Sequence, residues 1–296
     1  MRRTNTLWAM AILAVTAAGG GCELYEQAPY EEEYFVYSQM TALQPLPRVK
    51  LSTTIPFDTE YRREDHVEGG TVHIHLLDEE GDREATYAYT ETNAGSYAYP
   101  SGEEDIMVLP LRTYELQVSI PSSGEALSSF TTVPDTFRIA RTIRETATYM
   151  DADHLEYLIT KSKYPHRQGR YMLGTRALEG NEDSLTPFYA TSSLDERGLL
   201  HIRSDIINEA SFGRREDDDL LEVRYPWENI VHYGPNEILI HAIDDNMHDF
   251  YRTLDNQTGN DHLSPGEMRN IHYNIKGGIG LFGSKATVTT HGHVKR

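Results

Sequence analysis

The sequence predicts a mainly β protein, and three features carry that reading. Nineteen tyrosines and 22 glycines are spread through 296 residues. Short apolar segments alternate with polar residues at a period of two, and turn residues stand between them. Long apolar runs of helical spacing are few.

Taken in order, Tyr34-Phe35-Val36-Tyr37 and Val49-Lys50-Leu51-Ser52-Thr53 read as strands. Thr71-Val72-His73-Ile74-His75-Leu76-Leu77 is the clearest, with Val72, Ile74 and Leu76 on one face and His73 and His75 on the other. Glu79-Glu80-Gly81-Asp82 turns the chain, and residues 85–90 return with Tyr87 and Tyr89 alternating. Residues 113–120 place Tyr114, Leu116, Val118 and Ile120 inward, Pro121-Ser122-Ser123-Gly124 turns, and 126–133 return before Pro134. Strands this short predict an antiparallel sandwich of immunoglobulin-like type over 34–135.

A β-rich C-terminal domain is expected over 136–296. Its candidate strands are 157–160, 171–173, 199–203, 220–224 and 237–243, with a last strand at 286–290. One helix is expected after residue 243, capped by Asp244 or Asp245, because a carboxylate accepts the free amide hydrogens of a first turn. Met247, Phe250, Tyr251 and Leu254 fall on one face of that helix and read as core. Residues 259–265 read as loop.

The N-terminus predicts an address. Met1-Arg2-Arg3 precedes an apolar run over 7–18, then Gly19-Gly20-Gly21 and Cys22, the one cysteine in the chain. A basic start, a short apolar region and small residues make a secretory signal over 1–21, too short to span a bilayer as a helix. Cys22 stands where a bacterial lipoprotein signal places its acylated residue, and the stretch resembles a lipobox except that Gly19 replaces the usual apolar residue. Ordinary secretion with cleavage near Ala18 is the alternative. Residues 22–33 read as an acidic tether, since Glu-rich composition cannot collapse into a core.

Charge excludes some partners. Losing the signal removes Arg2 and Arg3, so 25 Lys+Arg stand against 46 Asp+Glu, a formal charge of −21. Such a surface repels nucleic-acid phosphates and anionic headgroups, so membrane attachment is expected through the acyl anchor and no nucleic acid is expected. With Cys22 acylated there is no second thiol for a disulfide or a cysteine metal site.

Three stretches together resemble a known family. Residues 109–118 followed by Ser129-Phe130-Thr131-Thr132-Val133-Pro134 are the first, and the strand and capped helix over 238–254 are the second. Asn274-Ile275-Lys276-Gly277-Gly278-Ile279-Gly280-Leu281-Phe282-Gly283 resembles a C-terminal Asn-Ile-x-Gly-Gly-x-Gly-x-Phe-Gly signature. The chain is similar to the Gram-negative lipoprotein family catalogued as domain of unknown function 4249. The resemblance implies a cell-envelope lipoprotein with no established biochemical activity, often encoded near TonB-dependent outer-membrane transporters. It implies no catalytic residues.

Motifs that invite chemistry have plainer explanations. Gly278-Ile279-Gly280-Leu281-Phe282-Gly283 spells G-x-G-x-x-G, but Thr287-Val288-Thr289-Thr290 after it favours a strand where a dinucleotide site needs a helix. The glycines are expected to permit positive φ or close packing beside Phe282. His73/His75 and His291/His293 have strand-face ligand spacing, yet exposed polar alternation looks the same, and the second pair is expected in a frayed terminus. Asp151-x-Asp153-His154 and Asp217-Asp218-Asp219 lack the Asp-x-Asp-x-Asp-Gly calcium loop, and no G-x-S-x-G elbow occurs. No cofactor, metal or catalytic site is expected.

Tyrosine-rich segments are the remaining hint, because a tyrosine offers contact area with a polar tip. A candidate binding surface comprises Tyr87, Tyr89, Tyr97 and Tyr99, with Tyr225 and Trp227; the plain reading of the same residues is strand tyrosines, half of them core. The leading expectation is a non-catalytic binding or accessory module at the outer membrane, serving a TonB-dependent transporter. The rivals are an envelope hydrolase acting on glycans or peptides, and a structural or adhesive surface protein.

Overall fold

The computed structural model describes residues 30–56, 66–100, 106–190, 201–214, 219–258 and 270–296. The signal over 1–21, Cys22, most of the 22–33 tether, Asp217, Asp218 and the loop expected over 259–265 lie outside the described residues. The chain divides into two units, residues 1–32 and 33–296, and every strand belongs to the second.

That unit is mainly β and sandwich-like, as the alternation predicts. Its first half holds β1 (Tyr34–Thr41), β2 (Val49–Thr53), β3 (Thr71–Leu77), β4 (Arg83–Asn93), β5 (Ser96–Ala98), β6 (Thr113–Ile120) and β7 (Glu125–Thr132). Its second half opens with β8 (Ile139–Arg144), β9 (Thr146–Thr148), β10 (Glu156–Thr160), β11 (Arg170–Ala177) and the helical turn α1 (Pro187–Ala190). It continues through β12 (His201–Arg203), β13 (Ile207–Asn208), β14 (Gly213–Arg214), β15 (Leu220–Arg224), β16 (Gly234–Ile243), α2 (Asp245–Thr258) and β17 (Ile279–Lys295).

The larger sheet runs β12-β11-β16-β17-β1-β2-β5-β4-β3-β6-β7, and the smaller β14-β15-β10-β8. Strands from both sides of position 135 share the larger sheet. The join is β17, which returns from the C-terminal half to pair in parallel with β1, Phe35 opposite Ile279 through Thr41 opposite Lys285.

Side-chain period explains the core. Val72, Ile74 and Leu76 of β3 and Tyr114, Leu116, Val118 and Ile120 of β6 are all buried on the inward face. They belong to one cluster with Leu51, Tyr157, Tyr225, Ile238, Ile240 and Phe282. The smaller sheet is held on the larger by tyrosines whose rings span the gap: Tyr157 donates to the His291 carbonyl (3.0 Å) and Tyr225 to the Leu239 carbonyl (2.6 Å). A ring gives apolar area, and its hydroxyl satisfies a backbone acceptor.

Two expectations change. The last strand spans Ile279–Lys295, not 286–290, because β16 pairs along it from Lys285 to Val294 and β9 adds three more pairs at its end. His291 and His293 therefore lie within a paired strand and not in a frayed terminus.

An apolar tip closes one end of β1. Leu43 hydrogen-bonds through its amide to the Val108 carbonyl (2.9 Å), and Leu43, Met107, Leu109 and Leu111 are exposed. Leu43 and Leu111 each take φ +59°, a left-handed conformation that crowds a Cβ against the next carbonyl. Leu43→Gly is therefore expected to stabilise the protein by about 0.5–1 kcal/mol, relief of strain exceeding the added chain entropy. Leu109→Gly, where φ is ordinary, is expected to destabilise it. Thermal unfolding of both variants checks the sign, and a loss of stability in Leu43→Gly would refute the strain.

Candidate functional site

The C-terminal signature builds one wall of an open cleft. Asn274 is a three-way bracket: its Nδ2 donates to Ser129 Oγ (2.7 Å) and to the Phe282 carbonyl (2.7 Å), and its Oδ1 accepts from the Phe282 amide (3.0 Å). Ser129 Oγ returns a bond to the Asn274 carbonyl (2.7 Å). Lys276 and Ser128 exchange backbone bonds of 2.8 and 3.1 Å, so the segment lies along β7. Gly277 then turns at φ +86°, where a Cβ would sit 2.7 Å from the Ala126 carbonyl oxygen. This accounts for the signature as architecture: the amide fixes the loop and the glycine allows its turn.

The other wall is the first turn of α2. Asp244 caps it, accepting the Met247 amide at Oδ1 (2.8 Å) while its own carbonyl accepts the His248 amide (3.2 Å). Met247, Phe250 and Leu281 form the core beneath the helix, with Tyr251 and Leu254 partly buried against it. Gly283 lets the helix approach, since a Cβ there would meet Met247 Cγ at 2.6 Å. Asn246 ties the turn down through Nδ2 bonds to the carbonyls of Phe130 (2.6 Å) and Phe282 (3.0 Å).

Beneath the cap, Asp244 joins a buried chain of hydroxyls. Thr131 Oγ1 lies 2.6 Å from Asp244 Oδ2 and 2.7 Å from Ser284 Oγ, and Ser284 Oγ donates to the Thr132 carbonyl (2.9 Å). Each hydroxyl has one hydrogen. A protonated Asp244 donating to Thr131, which donates to Ser284, satisfies all three contacts; an ionised one leaves Ser284 Oγ without a donor. Burial acts in the same direction, pushing the Asp244 carboxyl up to about 7 against the hydrogen bonds that favour its charge.

Between the walls is a volume of about 520 Å³ lined by Asn246, Asp249, Ile271, His272, Tyr273, Asn274, Ile275 and Gly278. Asp249 Oδ1 is 2.8 Å from His248 Nδ1. Burial lowers the His248 pKa despite the neighbouring carboxylate, so its imidazole is neutral at neutral pH. Burial, with Glu33 nearby, raises the Tyr273 phenol, which stays protonated. Tyr273 remains 39% exposed, its ring 6.3 Å from that of Phe250. Phe130 keeps 53% of its surface exposed.

The aromatics expected to form a surface are placed differently. Tyr97 and Tyr225 are fully buried, and Tyr89 and Trp227 nearly so. Tyr97 donates to the Val67 carbonyl and accepts from the Gly70 amide, both at 3.0 Å. Trp227 donates to the Asp151 carbonyl (3.2 Å) and stacks on His154 at 4.9 Å. These four are core pillars, not ligand contacts. Tyr87 and Tyr99 are half-buried, meet edge-to-face at 5.7 Å and pack on the core. Alternation shows that two tyrosines share a face, but not that the face is covered.

The histidine and aspartate motifs have partners within the fold. His75 is buried and bonded to Thr86 Oγ1 (2.8 Å) and Gln117 Oε1 (3.2 Å), with the His73 ring at 5.9 Å. Asp153 pairs with Arg144 (3.0 Å), His154 Nδ1 meets the Tyr225 carbonyl (3.0 Å) and Asp219 pairs with Lys161 (2.9 Å). Among the described residues no three His, Cys, Asp or Glu side chains converge. The glycines of the G-x-G-x-x-G sequence lie in or beside β17, where Gly280 takes φ +121° against β1. No motif in the sequence marks the cleft residues His272 and Tyr273, and their one signal is their position beside the Asn274 signature. Phe130 points outward from β7, because Leu127, Ser129 and Thr131 occupy the inward face.

Fold and cleft together define a mainly β, sandwich-like protein with an open polar-aromatic recess beside its capped helix. The chain belongs to the family described as domain of unknown function DUF4249, whose model matches residues 23–291. No curated protein matches it. Among solved structures it is similar to methylamine-reacted α2-macroglobulin from Salmonella (12% identity, TM-score 0.24), covering 89% of this chain and 15% of that one. It is also similar to trypsin-activated α2-macroglobulin from Escherichia coli (9% identity, TM-score 0.21; 73% and 14%). A third is a tetra-tandem repeat from the extending region of a large adhesion protein (13% identity, TM-score 0.22; 89% and 49%). The chain thus spans less than half the length of each.

Proposed function

We propose that this chain is a lipid-anchored outer-membrane lipoprotein that works as a non-catalytic binding or accessory module, with a TonB-dependent transporter as its partner. The supporting observation is the cleft between α2 and residues 271–278, where Asp249, His272 and Tyr273 face an open recess on a rigid frame. The anchor rests on the signal-like residues 1–21 and on Cys22. The transporter rests on what the family resemblance implies, not on a site.

A second reading, an envelope hydrolase, draws on the imidazole–carboxylate pair of His248 and Asp249 beside the cleft. A neutral imidazole held by a carboxylate is the orienting half of a general base, and it needs a nucleophile or water within reach.

Pulldown from detergent-solubilised outer membranes, with wild type and Cys22→Ala in parallel, tests the first reading. Wild type is expected to partition with membranes and co-purify a transporter, and Cys22→Ala to leave the membrane fraction. Membrane retention of Cys22→Ala would refute the acyl anchor, and a wild-type preparation free of any transporter would refute the partner.

A further inference from the structure

We propose that the cleft beside α2 binds a neutral saccharide, with the Tyr273 ring against the apolar face of a sugar and Asp249 accepting from its hydroxyls. The proposal rests on the reading of this cleft as a binding site and names the ligand class.

A sugar ring presents an apolar face of C–H groups and a rim of hydroxyls that both donate and accept. The lining matches that mixture. Tyr273 and Ile271 supply apolar surface, Asp249 supplies an acceptor, and the His272 imidazole and Tyr273 phenol can each donate and accept. Two of these groups are held in place before any ligand arrives. Asp249 Oδ1 is engaged by His248, which leaves Oδ2 to accept, and Asn246 spends both Nδ2 hydrogens on Phe130 and Phe282, which leaves its Oδ1 to accept. Groups fixed this way lose little entropy on binding.

Charge narrows the class. Among the described residues no lysine or arginine lines the cleft, and the chain's formal charge is −19, so phosphorylated or carboxylated ligands are disfavoured. An ammonium ligand would use the acceptors alone and leave the phenol and imidazole donors unmatched. The volume of about 520 Å³ lies in the range of small-ligand clefts.

Isothermal titration of the full chain in detergent with maltose, cellobiose, lactose and chitobiose tests this, with spermidine and a Lys-Lys dipeptide as cationic probes. At least one disaccharide is expected to bind. Tyr273→Ala and Asp249→Asn are each expected to weaken it at least tenfold, Tyr273→Phe less, and Phe188→Ala, exposed and outside the lining, not at all. Equal melting temperatures across the set exclude loss of fold. If the cationic probes bind in a Tyr273- and Asp249-dependent way and the sugars do not, the saccharide assignment falls while the cleft stands as a binding site. If neither group binds, or binding ignores Tyr273 and Asp249, both fall.

Discussion

At pH 8 the Asp244→Asn variant is expected to melt at a higher temperature than wild type, and the advantage should vanish by pH 4. Asp244 is fully buried, and its carboxyl is pushed up to about 7 from 3.8. A carboxyl raised in the folded state holds a proton that the unfolded chain has released. Its contribution to stability is complete below about pH 4, falls as pH rises toward 7, and changes no further above that. A shift of this size corresponds to about 4 kcal/mol across the window. Asparagine copies the protonated acid: Oδ1 still accepts the Met247 amide, and Nδ2 can donate to Thr131 Oγ1. The variant therefore loses the titration and keeps the cap. Asp244→Ala also loses the titration but is expected to lie about 2–3 kcal/mol below Asp244→Asn at every pH, because the Met247 amide and the Thr131 hydroxyl lose their partner in a buried site. Melting curves from pH 4 to 9 decide it. Parallel profiles for wild type and Asp244→Asn would show that Asp244 is ionised throughout, and the hydroxyl chain would then run the other way.

The second large effect lies at Gly280. A Cβ there would overlap the Val36 carbonyl oxygen and stand 2.8–2.9 Å from two further backbone atoms of Val36, at φ +121°. The two strands cannot part here without breaking the ladder, since β1 and β17 are tied in parallel from Phe35 opposite Ile279 to Thr41 opposite Lys285. Gly280→Ala is thus expected to cost more than about 4 kcal/mol, through strain in a special backbone conformation and a broken ladder, and to leave the protein insoluble or protease-sensitive. Gly283→Ala provides the contrast. Its clash is with Met247 Cγ, the middle of a flexible side chain, so a loss of about 1–3 kcal/mol is expected. Soluble Gly280→Ala protein melting within 2 °C of wild type, about 1 kcal/mol or less, would overturn the argument.

Local pattern was enough for much of this protein. The mainly β class, the inward faces of β3 and β6, the Asp244 cap and the apolar face of α2 all follow from side-chain period and capping chemistry. Each depends on residues within about a turn or a strand of one another. What needed the tertiary structure is whatever depends on which strand lies beside which. The parallel pairing of β1 with β17 joins residues some 240 positions apart, and no local period encodes it. That pairing extends the start of the last strand and gives Gly280 its role, while β16 and β9 pair with its far end and take His291 and His293 out of a frayed terminus. Tyr97 and Tyr225 became pillars, not a surface, because period gives the face of a strand and only packing covers it. The cleft is of the same kind: Asn246, Asp249, His272 and Tyr273 lie on two segments that meet only because Asn274 brackets Ser129 and Phe282 and Gly283 admits the helix.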